Sequence, residues 1–185
     1  MATTTTFTTL QQDVRRYLER GASLATDPVV YEQLPRLINL AERRCARELK
    51  IQGFINVVTD TLIVGQSVYA KPDRWRETVS INIGTGAELN TRKFLFTRDY
   101  EYLRVYWPDD SLRDEPVYYA DYNYSNWLII PPPDDVYPFE VLYYEVPVLL
   151  DDANQSNWLT EYAPELLLYA TLLETSAFLK NDERV

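Results

Sequence analysis

Histidine is absent from this chain of 185 residues. Without imidazole there is no Ser-His-Asp or Cys-His nucleophilic site, no histidine zinc site and no imidazole proton shuttle. Cysteine occurs once, at Cys45, so no disulfide closes within the chain and no thiolate cluster binds a metal. Glycine is scarce, at five residues. Gly84-Thr85-Gly86 stands alone, with no following glycine or Lys-Ser/Thr pair, and reads as a hairpin turn and not as a phosphate cradle. No apolar run approaches the roughly 20 residues of a membrane helix. The opening Met-Ala-Thr-Thr-Thr-Thr has neither the basic start nor the apolar stretch of a signal peptide, so a chain that is cytosolic where it is made, with no membrane partner, is expected.

What is present is ordinary in bulk and uneven in detail. Forty-six per cent hydrophobic and 25% charged residues suit a globular chain. At this length roughly 70% of the extended surface can be buried, enough for a core without staples. The net charge of −10 argues against wrapping DNA, which needs a cationic face. Residues 1–50 carry eight Lys/Arg and six Asp/Glu, whereas residues 51–185 carry ten and twenty-two. A basic start and an acidic remainder suit two different partners, or stacked copies of one protein; both as solvated faces is the plainer alternative.

Residues 1–6 are Thr-rich and read as a flexible arm. A helix follows, with Thr9 and Gln12 fitting a capping box, Leu10, Val14, Tyr17 and Leu18 on one stripe, and Gly21 as its stop. Asp27-Pro28 is an N-cap with a first-turn proline, and Pro35 is expected to end or kink the piece it starts. Arg36 to Lys50 reads as a strong helix, apolar along Leu34, Ile38, Ala41, Cys45 and Leu49, with Gly53 beyond it. From Phe54 the hydrophobic period becomes two. Strands are expected at 54–64, 68–69, 78–83, 117–122, 127–130 and 139–146, with a short helix over 97–106. Short links between them predict an antiparallel meander. A last helix over 164–180 is apolar around more than half its circumference, as a central core helix or an intersubunit helix would be. The fold class is therefore α+β. Residues 7–53 and 159–182 are expected to form a helical bundle, with an antiparallel β-domain, 54–148, inserted between them.

The chemistry-bearing patterns are few. The acidic pairs Asp109-Asp110, Asp114-Glu115, Asp134-Asp135 and Asp151-Asp152 sit in predicted turns, where adjacent carboxylates point apart. Glycosidic hydrolysis needs facing carboxylates at a set distance, so solvated turn residues are the better reading. Residues 151–157 lack the glycine and terminal glutamate of a calcium loop. No catalytic residue, cofactor or metal is expected. Aromatics are more informative, with 15 Tyr, 4 Trp and 6 Phe. Tyr118 to Tyr124 places tyrosines on both sides of one strand, and 139–146 is apolar on both sides. Two apolar faces point to a core on one side and a protein contact on the other, with tyrosine simply serving as core residue or as a sugar platform as the alternatives. Arg36, Arg43, Arg44, Arg47 and Lys50, set against Glu42 and Glu48, are suited to an acidic partner or to local ion pairs.

Several long stretches carry a family resemblance. They are residues 34–44 (LPRLINLAERR) with the following RELK, 68–75 (VYAKPDRW), 100–108 (YEYLRVYWP), 137–145 (YPFEVLYYE) and 149–161 (LLDDANQSNWLTE). Across about residues 7–184 the chain resembles the head-to-tail adaptor, or connector, proteins of short-tailed bacteriophages. The resemblance implies a helical bundle carrying an inserted β-domain. It also implies a ring of about twelve identical subunits closed by rotation beneath the portal protein. Such a ring docks the tail nozzle protein and continues the channel through which genomic DNA passes without sequence-specific binding. Members often continue past the segment matching 181–184, whereas this chain stops at Val185.

The reading at this level is a non-enzymatic structural protein of the virion neck. Arg36, Arg43, Arg44, Arg47, Lys50, Leu173 and Phe178 are candidates for the portal or subunit contact. Tyr118, Tyr122, Trp127 and Tyr143 are candidates for the nozzle or subunit contact, and Asp134 and Asp135 for lumen charge that repels DNA. The alternatives are a carbohydrate-binding β-module with helical flanks, using Trp107 or Trp127, and a carboxylate glycosidase.

Overall fold

The structure is a computed structural model, and it describes residues 5–19, 27–84 and 91–179. In chain order the elements are α1 (Phe7–Tyr17), α2 (Pro28–Glu48), a 3-10 turn (Gln52–Phe54), β1 (Ile55–Leu62), β2 (Val68–Ala70), β3 (Trp75–Gly84), β4 (Arg92–Thr97), α3 (Tyr100–Tyr106), β5 (Tyr118–Asn123), β6 (Asn126–Ile130), β7 (Tyr137–Glu145), α4 (Trp158–Tyr162) and α5 (Pro164–Phe178). The class is α+β. Two compact units result, Met1–Phe54 with Val146–Val185, and Ile55–Glu145.

In the first unit α1 starts earlier than expected. Thr6 is the N-cap, and the capping box runs between Thr6 and Thr9, because Phe7 is already buried and its N–H donates to Gln155 O. Gly21, its expected stop, lies outside the described residues. Asp27 caps α2 and Pro28 opens it, as the sequence predicts. Pro35 neither ends nor kinks that helix into two pieces; 21 residues run through it. An interior proline costs about 3 kcal/mol. Leu34 and Ile38, fully buried on either side of it, each return about 1.5–3 kcal/mol, and Asn39 Nδ2 donates to Pro35 O in addition.

Helices α1, α2 and α4 pack against α5 or one another, and the Arg15 guanidinium lies 4.7 Å from the Tyr31 ring centroid. Glu42, fully buried on α2, accepts from Leu150 N at 3.1 Å and from Asn157 Nδ2, while Asn39 donates to Leu150 O. These bonds strap the 148–157 segment to α2. Asn157 also caps α4. Gly53 lies so close to the Trp158 indole that a side chain there would collide with the ring.

In the second unit seven strands form one mixed sheet in the order β1-β7-β3-β4-β5-β6-β2. A simple meander is therefore not what forms. β7 returns between β1 and β3, and β4–β5 is a parallel pair linked through α3. β4 was not expected as a strand. The run 131–135, expected as a turn between neighbours, instead carries the chain away from β6 to the far side of the sheet. Pro133 O accepts from Gly65 N on the way.

The core lies on one face of the sheet and gathers Leu62, Tyr69, Ile81, Leu95, Tyr119, Trp127, Ile129, Phe139 and Tyr143 from all seven strands. The Tyr69 hydroxyl bonds to the backbone of Ile63, and its ring meets Phe139 edge-on. On the opposite face of β5 and β6, Ala120, Leu128 and Ile130 pack on Leu103 of α3. The second apolar face of β6 is thus covered by the chain's own helix.

Candidate docking surfaces

The α2 periodicity separates the five cations. Residues 36, 40, 43 and 47 fall on one outer stripe, opposite the buried positions 34, 38, 41 and 45. Arg36 and Arg43 are exposed and pair with no carboxylate among the described residues; Arg47 meets Glu48 at 3.5 Å. Arg44 is different. It reaches Glu48 and Glu174, both at 3.2 Å, and so ties α2 to α5. Lys50 is exposed beyond the helix end.

α5 has its polarity turned inside out. Its buried positions are Leu167, Thr171, Thr175 and Ser176. The two threonine hydroxyls donate back to Leu167 O and Thr171 O, so burial leaves neither unbonded. Its exposed positions include Leu166, Tyr169, Leu173 and Phe178. Three of these, Leu166, Tyr169 and Leu173, join Cys45 and Leu49 of the α2 end in lining a groove of about 220 Å³, rimmed by Arg44 and Glu48. Burial raises the Cys45 thiol pKa, which keeps it an inert thiol there.

The four residues expected at the nozzle or subunit contact divide. Trp127 and Tyr143 are core residues, 1% and 3% exposed. The Trp127 indole donates to Thr78 Oγ1 at 2.8 Å, and Trp75 donates to the same oxygen. Both residues alternate inward on strands whose inner face is the core, which is why a surface role does not fit them. Tyr122 is exposed and Tyr118 is half-buried against the α3 cluster, and the structure surrounds them with aromatics that strand periodicity did not single out. Phe94 and Phe96 of β4, Tyr118, and Tyr102 and Tyr106 of α3 form a chain of ring contacts with centroids 5.0 to 6.4 Å apart. Tyr100 meets Tyr122 alongside. Phe94 and Phe96 are 47% and 51% exposed. The signal for these residues was the alternation Phe94-Leu95-Phe96, in which Leu95 enters the core and its two neighbours stay outside.

The acidic pairs are engaged as turn and ion-pair residues. Asp109 accepts from Ser111, Asp110 pairs with Arg104 at 2.7 Å, and Asp151 accepts from the N–H groups of Ala153 and Asn154. Asp134 and Asp135 are both exposed. Asp134 accepts from the Tyr137 hydroxyl, whose pKa rises through loss of solvent and the adjacent carboxylate. No cluster of metal-ligating side chains occurs among the described residues. Trp107, the other tryptophan considered for sugars, is half-buried with its indole donating to Leu112 O. No helix is long and apolar enough to cross a membrane among the described residues.

Comparison with known proteins agrees with the resemblance carried by the sequence blocks. The model of the family described as SU10 adaptor protein matches residues 5–185. A comparison with curated proteins returns no significant match.

Proposed function

This chain belongs to the SU10 adaptor protein family and is a structural adaptor of the bacteriophage virion neck or tail, and from that premise we propose that it forms a closed ring between portal and nozzle. The ring continues the DNA channel and acts by binding, without catalysis. One observation carries this beyond the family: α5 buries its hydroxyls and presents leucine, tyrosine and phenylalanine outward. A single subunit gains nothing from exposing them, whereas a ring covers them.

A ring closed by rotation gives every subunit two different faces. The α5 surface with Leu173 and Phe178, and on the outer side of α2 the Arg36–Arg43–Arg47 stripe with Lys50, supply contacts to the portal or the next subunit. The aromatic face around Tyr118 and Tyr122 supplies the contact to the nozzle or the next subunit. Asp134 and Asp135, exposed in their turn, suit a lumen in which DNA slides and does not adhere.

The test is the light-scattering mass of the purified chain, alone and mixed with portal rings. A 21.7 kDa species that joins the portal in closed-ring stoichiometry, or forms a ring by itself, is the expected result. A chain that stays monomeric and ignores the portal overturns the proposal.

A further inference from the structure

The aromatic face of the β unit holds a cation that meets no carboxylate among the described residues. The Arg98 guanidinium lies 5.8 Å from the Tyr102 ring centroid and 5.7 Å from that of Tyr118. It donates one hydrogen bond, at 2.9 Å, to Thr97 O. Its cationic neighbours in sequence are neutralised within the unit: Arg92 by Glu140, Lys93 by Glu115 and Arg104 by Asp110. Arg98 pairs with no carboxylate among the described residues, although it follows the sheet directly and its own N–H is fixed to Tyr119 O.

Two ring faces therefore flank a guanidinium that makes one hydrogen bond among the described residues. Aromatic support lowers the entropy lost when such a side chain is gripped. A planar guanidinium so held is matched to a carboxylate, which it engages through two parallel hydrogen bonds. Arginine beside tyrosine is also the composition of residues that dominate protein interfaces.

We propose that Arg98, seated between Tyr102 and Tyr118, receives a carboxylate from an acidic turn of the neighbouring copy of this chain. The inference rests on the ring reading above and names the chemistry of one of its two faces. Charge selects the occupant. Residues 51–185 hold twenty-two acids against ten bases. The exposed turn Asp151–Asp152, unlike Asp134–Asp135 not assigned to the lumen, meets no cation among the described residues. Each copy thus carries one prearranged receptor and surplus carboxylates, and a heterologous contact brings unlike faces together.

The experiment uses purified particles containing the neck. In R98K particles made from a mixture of isotopically heavy and light chains, carbodiimide treatment joins the amine at position 98 to any carboxylate it touches. The expected product is a mixed heavy–light cross-link between position 98 and an Asp or Glu of another copy. In wild-type particles, phenylglyoxal modification of Arg98 is expected to be about tenfold slower than in the dissociated chain, and R98A to weaken subunit association about thirtyfold, the size of an interface hot spot. R98E is expected to keep the circular dichroism of the wild type, since Arg98 makes no ion pair among the described residues, while failing to enter the ring. Equal phenylglyoxal reactivity in particle and free chain overturns the proposal, as does a cross-link that ends on a different protein or only within one copy. A chain that forms its ring with Arg98 still reactive defeats this inference alone; a chain that forms no ring defeats the functional reading as well.

Discussion

Replacing Glu42 tests whether the 148–157 segment is held by one buried carboxylate. Glu42 accepts from Leu150 N, 3.1 and 3.3 Å from its two oxygens, and from Asn157 Nδ2. A hydrogen bond to a charged group contributes about 1.5–3 kcal/mol, and a buried donor left unpaired costs a similar amount. Glu42→Ala strands two such donors and is expected to cost about 3–5 kcal/mol. Glu42→Gln keeps the shape and one good acceptor but turns an amide N–H₂ toward the other donor; about 1–2 kcal/mol is expected.

Both variants also differ from the wild type in pH dependence. Burial raises the Glu42 pKa, against the opposing pull of Leu150 N–H, Asn157 and Arg43. The folded carboxyl then keeps its proton at pH values where the unfolded one has lost it. Stability from this group falls as pH rises from the ordinary carboxylate value through the raised one, and is level above it. Glu42→Gln removes that slope, so its cost relative to wild type is largest near the acid end of the window and smallest above the raised value. Urea unfolding followed through Trp158, which stacks on Tyr162 in the same unit, reads both effects. A cost below about 1 kcal/mol for Glu42→Ala, or a gap that widens with pH, refutes the reasoning.

Lys71 is buried over the Trp75 ring, with Nζ 2.7 Å from Asp121 and 2.9 Å from Asn123 O. Lys71→Met is expected to cost about 2 kcal/mol, less than a fully buried pair because Asp121 is half exposed; denaturation followed by Trp75 and Trp127 fluorescence measures it. Leu173→Asp lies on the outward face of α5 and is expected to change monomer stability by no more than about 0.5 kcal/mol. The same substitution is expected to abolish incorporation into particles, which a blot of purified virions against soluble chain detects. Replacing Asp134 and Asp135 with lysine is expected to slow DNA ejection, read as dye-labelled genome release from triggered virions; unchanged kinetics count against a lumen position.

Helix positions were legible because their signals are local. Asp27-Pro28 marks the start of α2, and its apolar ridge marks the buried side. Pro35 misled because a backbone rule was weighed without the burial on either side of it. The strands were legible as segments but not as a sheet. Which strand returns beside which depends on long connections, and the insertion of β7 between β1 and β3 leaves no mark in periodicity. The tyrosines show the same limit at the level of the site. Tyr118 and Tyr119 alternate across one strand, and sequence alone does not say which side closes over a core. Trp127 and Tyr143 were placed at the surface for that reason. Arg98 carries no signal in the sequence, because meeting no carboxylate among the described residues is a property of three-dimensional neighbours.

Ile55 pairs with Tyr144, so the strand by which the chain enters the β unit lies against the strand by which it leaves. The two attachment points are thus separated by one interstrand spacing, about 5 Å. The β unit is an insertion whose two chain ends lie side by side. The helices need only accommodate that narrow gap, whatever is suspended beyond it. Lengthening, shrinking or exchanging the suspended domain leaves their packing problem unchanged. Such a graft point lets the inserted unit change in sequence while the helices keep their own packing.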